Sequence, residues 1–110
     1  PHWQRVMQGH AAANLMPVIA ANRIGTETVT PCMENQQQES ALTFYGTSFI
    51  TDATGAVLQQ ASRDYAEIIQ ETFDLDELEE QRLSWGLFRD RRPEQYCLIS
   101  QPISGANTAR

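Results

Sequence analysis

Lysine is missing altogether: all eight basic residues among the 110 are arginine, so a site that depends on a lysine ammonium cannot be completed from this chain. Cysteine is scarce. Cys32 stands in a polar stretch and Cys97 near the end, without a CxxC pair, so reduced thiols in a cytoplasmic setting are the expectation. Neither cysteine has the positioned, electropositive surroundings that lower a thiol pKa, so neither reads as a catalytic nucleophile. Long apolar runs are absent too: nothing approaches the roughly 18 residues that a membrane-spanning helix needs. A net charge of −6 argues against general binding to nucleic acid or anionic membrane, because the long-range field repels polyanions.

What is present suits one soluble domain with a single modest core, at 41% hydrophobic residues. The basic charge is local: four of the eight arginines fall between Arg82 and Arg92, in and before "SWGLFRDRRPEQY". Such a cluster either grips an anion or ties parts of a fold together through charge-assisted hydrogen bonds. The text opens on Pro1 inside a helical pattern, so the chain reads as a piece of something longer.

The pattern along the chain predicts an α+β order of helix, four strands, helix and extended tail. Trp3, Val6, Met7, Ala11 and Leu15 recur at the spacing of one helical face, giving a helix over residues 2–15 that Pro17 stops. Gly9 and the alanines at 11 to 13 would let a second helix approach closely. "PVIAANRIG" reads as a strand buried on both faces that delivers Asn22 and Arg23 to its C-terminal end. Residues 26–40 are polar, Gln-rich and aperiodic, and read as a loop. "ALTFYGTSFI" and "AVLQQAS" flank the turn "TDATGAV" and predict a hairpin, with Gly55 free to take a positive φ. "AEIIQETFD" predicts a further strand running into the helix "DLDELEEQRLSW", where Asp74 stands three before Glu77 at capping-box spacing. The acidic first turns of that helix suit its macrodipole and read as a solvated face. The last ten residues have the composition of a disordered end.

Few side chains make a chemical constellation. His2 and His10 lie eight apart, roughly 80° around a helix axis, without carboxylates at metal-ligand spacing. Thr47, Ser48 and Ser84 have no nucleophile elbow or partner base in the sequence, and Gly25, Gly46 and Gly55 do not form a phosphate loop. No cofactor or metal is implied. The pairs that draw notice are Asn22 with Arg23, at a strand end, and the run from Arg89 to Arg92. An arginine ending a buried strand is costly unless it meets a carboxylate or points into a cleft, and both remain open.

Three stretches together, "HWQRVMQGHAAANLMPVIAANRIGTE", "LTFYGTSFITDATGAVL" and "FDLDELEEQRLSWGLFRDRRPEQY", resemble the carbon–nitrogen hydrolases of the nitrilase superfamily, and within it the N-carbamoylputrescine amidases. The likeness covers nearly all of residues 2–96. It implies the C-terminal part of a nitrilase-type α-β-β-α sandwich over residues 1–96, with residues 97–110 forming a tail that starts as an interface segment. It also implies a small-molecule substrate, N-carbamoylputrescine, cleaved to putrescine, carbon dioxide and ammonia without a cofactor by a Glu-Lys-Cys triad. With no lysine here and neither cysteine in the family's nucleophile motif, the resemblance puts all three catalytic positions before Pro1 and leaves this chain inactive alone. It further implies a homo-oligomer paired through the first helix and the C-terminal tail. Asn22 and Arg23 are the candidate substrate-side residues, since they end the strand after that helix. Two other readings stay open: another carbamoyl or ω-amide hydrolase of the superfamily, and a non-catalytic acidic α+β interaction module.

Overall fold

A computed structural model describes residues 2–97, 99 and 100. Helix α1 spans His2–Asn14. It ends with Leu15 in the left-handed region at φ 50°, and the Met16 N–H donates back to the Ala11 carbonyl at 3.1 Å. That closure two residues before Pro17 is the usual end of a helix that proline cannot continue, with leucine where glycine is commoner. Ala11 and Leu15 turn inward and are buried, as the helical spacing predicts.

The strands fall into two antiparallel sheets. The first has the order β1-β4-β5, from Ile19–Ala20, Phe49–Thr51 and Val57–Gln60. The second is a ribbon of β2, Ile24–Val29, and β3, Ser40–Tyr45. The core sits where β4 lies under α1: Phe49, Ile50 and Thr51 are all buried, and Trp3 meets Phe49 edge-on with ring centroids 5.2 Å apart. Thr51 is wholly buried yet satisfied, its hydroxyl accepting from the Val18 N–H at 3.0 Å. The turn between β4 and β5 presses on α1 at Gly55, where a Cβ would stand 2.6 Å from the Gln8 carbonyl oxygen. The Gln8 side chain donates to the Gly55 carbonyl at 2.8 Å across the same contact.

Helix α2 spans Leu75–Trp85. Asp74 caps it by accepting from the N–H groups of Asp76 and Glu77, and Gly86 closes it at φ 66°. The helix buries no residue among those described, so its acidic turns are the solvated face that the pattern predicts. Ala12 and Ala13 of α1 and Trp85 and Gln81 of α2 line one recess of about 310 Å³.

Five expectations need correction. The strand in "PVIAANRIG" is only Ile19–Ala20, and it is not buried on both faces, because Ile19 is 73% exposed. Part of the expected loop at residues 26–40 is strand: β2 runs to Val29 and pairs in register with β3. Its polar and threonine-rich side chains make a solvated ribbon, for which hydrophobic alternation is no guide. The strand expected through "ALTFYGTSFI" breaks at Gly46 and Thr47, both at φ 57°, where the chain leaves one sheet for the other. "AEIIQETFD" forms no strand, since it meets no partner strand and Ile68 is 88% exposed. The tail is not extended either: it coils through turns into a short 3₁₀ helix, Pro93–Gln95. The expected disordered end, residues 101–110, lies outside the described residues.

Candidate functional site at the junction of the two sheets

Both sheets meet where residues 46–48 pass beside the segment of residues 61–63. The crossing is tight: a Cβ on Gly46 would lie 2.7 Å from the Ser62 carbonyl oxygen and 2.7 Å from Ile24 Cγ2. Glycine at positive φ is therefore required by space and by backbone together. Thr47, a β-branched residue, holds a left-handed φ beside it, a conformation that costs free energy and persists only when its surroundings impose it. Its N–H donates to the Ser62 carbonyl at 3.2 Å and its hydroxyl to the Gly46 carbonyl at 2.7 Å.

Asn22 and Ser48 knot this crossing. The Asn22 N–H donates to Ser48 Oγ at 2.8 Å, and Asn22 Nδ2 donates to the Gly46 carbonyl at 2.9 Å. Asn22 Oδ1 accepts from the Arg23 N–H at 2.9 Å. The Gly46 N–H in turn donates to the Arg23 carbonyl at 2.8 Å. Around the knot is a recess of about 270 Å³ whose wall includes Asn22, Arg23, Ser48, Ser62, Tyr65 and Glu67. The Glu67 carboxylate accepts from the Ser62 N–H.

Both candidate residues thus reach one recess, yet their polar groups are largely engaged within the fold. Asn22 spends its amide on backbone. Arg23 pairs with Glu27 and lays its guanidinium 4.3 Å from the centroid of Phe44. Of the two options open to an arginine at a strand end, the fold uses the carboxylate. The arginine cluster behaves the same way: Arg89 grips Asp90 with two bonds at 2.7 and 2.9 Å, and Arg92 pairs with Glu94 at 2.9 Å. Arg91 and Arg82 stand over Phe88 at 4.8 and 5.4 Å from its centroid. The Arg89 guanidinium hydrogen-bonded to Asp90 holds that carboxyl below the usual carboxylate range.

A second recess, about 500 Å³, adjoins the same crossing on the ribbon side, with Arg63, Asp64 and Tyr45 in its wall. Sequence reading passed over Ser62, Arg63, Asp64 and Glu67, which stood in no motif. The one available signal was Gly46 inside a strand pattern, a mark of close backbone approach. Cys32 and Cys97 are exposed and lie in neither recess.

The description carbon–nitrogen hydrolase fits residues 1–83 as a family model. The chain belongs to the carbon–nitrogen hydrolase family. Its fold agrees with that of a solved carbon–nitrogen hydrolase from Helicobacter pylori G27, at TM-score 0.73 and 37% identity over 91% of this chain and 32% of that one. The chain is 54% identical over 95 residues to a citrullinase from Francisella tularensis, covering 86% of this chain and 30% of the relative. It is 50% identical over 98 residues to an N-carbamoylputrescine amidase from Oryza sativa, covering 89% and 31%. The chain thus spans about a third of the length of the relatives it matches.

Proposed function

We propose that this chain works as part of a longer carbon–nitrogen hydrolase that cleaves the terminal carbamoyl group of N-carbamoylputrescine, releasing putrescine, carbon dioxide and ammonia. What supports the reading is the identity of 48 to 50% to plant N-carbamoylputrescine amidases over most of the chain. Citrulline is the second substrate to weigh, since a citrullinase is comparably similar. Both molecules end in the same ureido group, and one water balances the reaction: R–NH–CO–NH₂ and H₂O give R–NH₂, CO₂ and NH₃. With putrescine as product, the reaction read here is a step of polyamine formation, and a cytoplasmic location is part of the same proposal.

The triad that the resemblance implies cannot be assembled here, because the chain has no lysine. A thiolate attacking the carbamoyl carbon needs a facing ammonium to stabilise the oxyanion, and that group must come from elsewhere in the protein. This chain's part is the scaffold: α1, the β1-β4-β5 sheet and the sheet crossing hold Asn22 and its neighbours against the reacting half. Subunits pair through α1 and the tail, and the open side of Gly9, where an added Cβ would meet nothing within 4 Å, suits close helix contact. Light scattering on the intact protein tests that pairing, and a strict monomer contradicts it. The activity is tested by ammonia release from N-carbamoylputrescine by the intact protein. Equal amounts of ammonia and putrescine support it; no release from a folded sample rejects it.

A further inference from the structure

We propose that the recess of about 500 Å³ between the β2–β3 ribbon and residues 63 and 64 holds the zwitterionic head of an α-amino acid, Arg63 taking its carboxylate and Asp64 its ammonium. The inference rests on the ureido-hydrolase reading above and names the part of the substrate that this chain selects.

The charges carry the argument. An α-amino acid presents a carboxylate and an ammonium on one carbon, so its complement is a cation and an anion side by side. Arg63 and Asp64 are adjacent and both line the recess. Elsewhere the chain shows what adjacent opposite charges do when nothing else claims them: Arg89 and Asp90 close on each other through two hydrogen bonds. Arg63 and Asp64 do not. Among the described residues neither joins an ion pair, with the other or with any third group. Their backbone is pinned instead by neighbours, the Asp64 N–H donating to Ser62 Oγ at 3.0 Å and the Ser62 carbonyl accepting from Thr47.

The rest of the wall suits such a head. The Thr26 and Thr43 hydroxyls, 2.9 Å apart, offer donor and acceptor sites across the ribbon. Gly25, at φ 90°, adds no side chain where a Cβ would meet nothing within 4 Å, which keeps the recess wide. Tyr45 supplies an apolar ring face, and with Arg63 it also borders a recess of about 680 Å³ beside His2 and Trp3. Arg63 therefore borders two spaces and joins no ion pair among the described residues, and its planar fork matches a carboxylate.

Citrulline differs from N-carbamoylputrescine by a carboxylate on the carbon that bears the terminal amine. A grip on that carboxylate favours citrulline alone, whereas a grip on the ammonium serves both. The test uses the intact protein with both substrates. Arg63→Met lowers the citrulline-to-N-carbamoylputrescine ratio of kcat/KM about tenfold to a hundredfold, mainly through KM for citrulline, the range of a charged hydrogen bond. Arg63→Lys restores part of the ratio, and Asp64→Asn raises KM for both substrates. Ornithine, as product inhibitor, weakens in Arg63→Met more than putrescine does. A ratio unmoved by Arg63→Met in an enzyme that remains active overturns the proposal, as does an intact protein that cleaves N-carbamoylputrescine but not citrulline. Failure of the folded protein on both substrates instead rejects the ureido-hydrolase reading, and this inference with it. Both positions are exposed, so a matched thermal melt separates lost binding from lost fold.

Discussion

Individual residues at the sheet crossing do more than the sequence declares. Asn22 looks like any polar residue after a short strand, yet its N–H, side-chain amide and carbonyl all bond to residues 46–48. Removing the side chain by Asn22→Ala in the intact protein takes away one of the two donors to the Gly46 carbonyl, leaving the Thr47 hydroxyl, and should cost about 0.5 to 1.5 kcal/mol in urea unfolding. A loss well below that range would mean that the knot is incidental. Gly46→Ala should be worse than Asn22→Ala, because the new methyl meets backbone at 2.7 Å. Asp52 offers a pH signature. Burial works to raise its pKa, but the Thr54 hydroxyl and the N–H groups of Thr54 and Ala56, at 2.7 to 3.0 Å, outweigh it and lower the value. Its folded pKa thus lies below the unfolded value of about 3.9, so the ionised carboxylate stabilises the fold above pH 4 and loses that contribution as the pH falls lower. The difference in melting temperature between the parent and Asp52→Asn should therefore be largest near neutrality and shrink below pH 4. A constant difference contradicts the assignment.

At the scale of elements, what was legible depended on whether the signal was local. Helix α1 followed from the spacing of Trp3, Ala11 and Leu15, and the β4–β5 turn from Gly55, because each rests on neighbouring residues alone. Helix α2 was legible in the same way from Asp74, three before Glu77. Asp74→Ala should cost about 1 kcal/mol of stability by removing the acceptor for two N–H groups, measured by urea unfolding of the intact protein. No measurable change would mean that water replaces the cap. Strands were harder to read because a strand needs a partner. "AEIIQETFD" has β-forming residues and no partner strand here, whereas "TETV", residues 26–29, reads as loop and pairs with β3. The recess residues Arg63 and Asp64 were illegible for a related reason: their meaning lies in the crossing at Gly46, seventeen residues earlier in the sequence.

The whole molecule explains why so little of this chain is self-sufficient. A folded monomer of 12.4 kDa should expose about 6,100 Å², yet this chain exposes 9275 Å². It is flat, 58 × 56 × 20 Å, with only Ala11, Leu15, Phe49, Ile50 and Ala53 as buried apolar residues among those described. Exposed Ile19, Trp85 and Phe88 are surface that a larger sandwich would cover. Isolated, the 110-residue chain should associate or aggregate, and analytical ultracentrifugation should show no discrete monomer at micromolar concentration. A cooperative monomeric melt contradicts that. The family was legible in the sequence because three separated stretches carry it, while the choice between N-carbamoylputrescine and citrulline was not, since relatives of both kinds match the chain comparably. The most direct test is ammonia release from N-carbamoylputrescine, measured for the 110-residue chain beside the intact protein. Turnover by the intact protein with none from the chain is the predicted result; turnover by the lysine-free chain alone contradicts it.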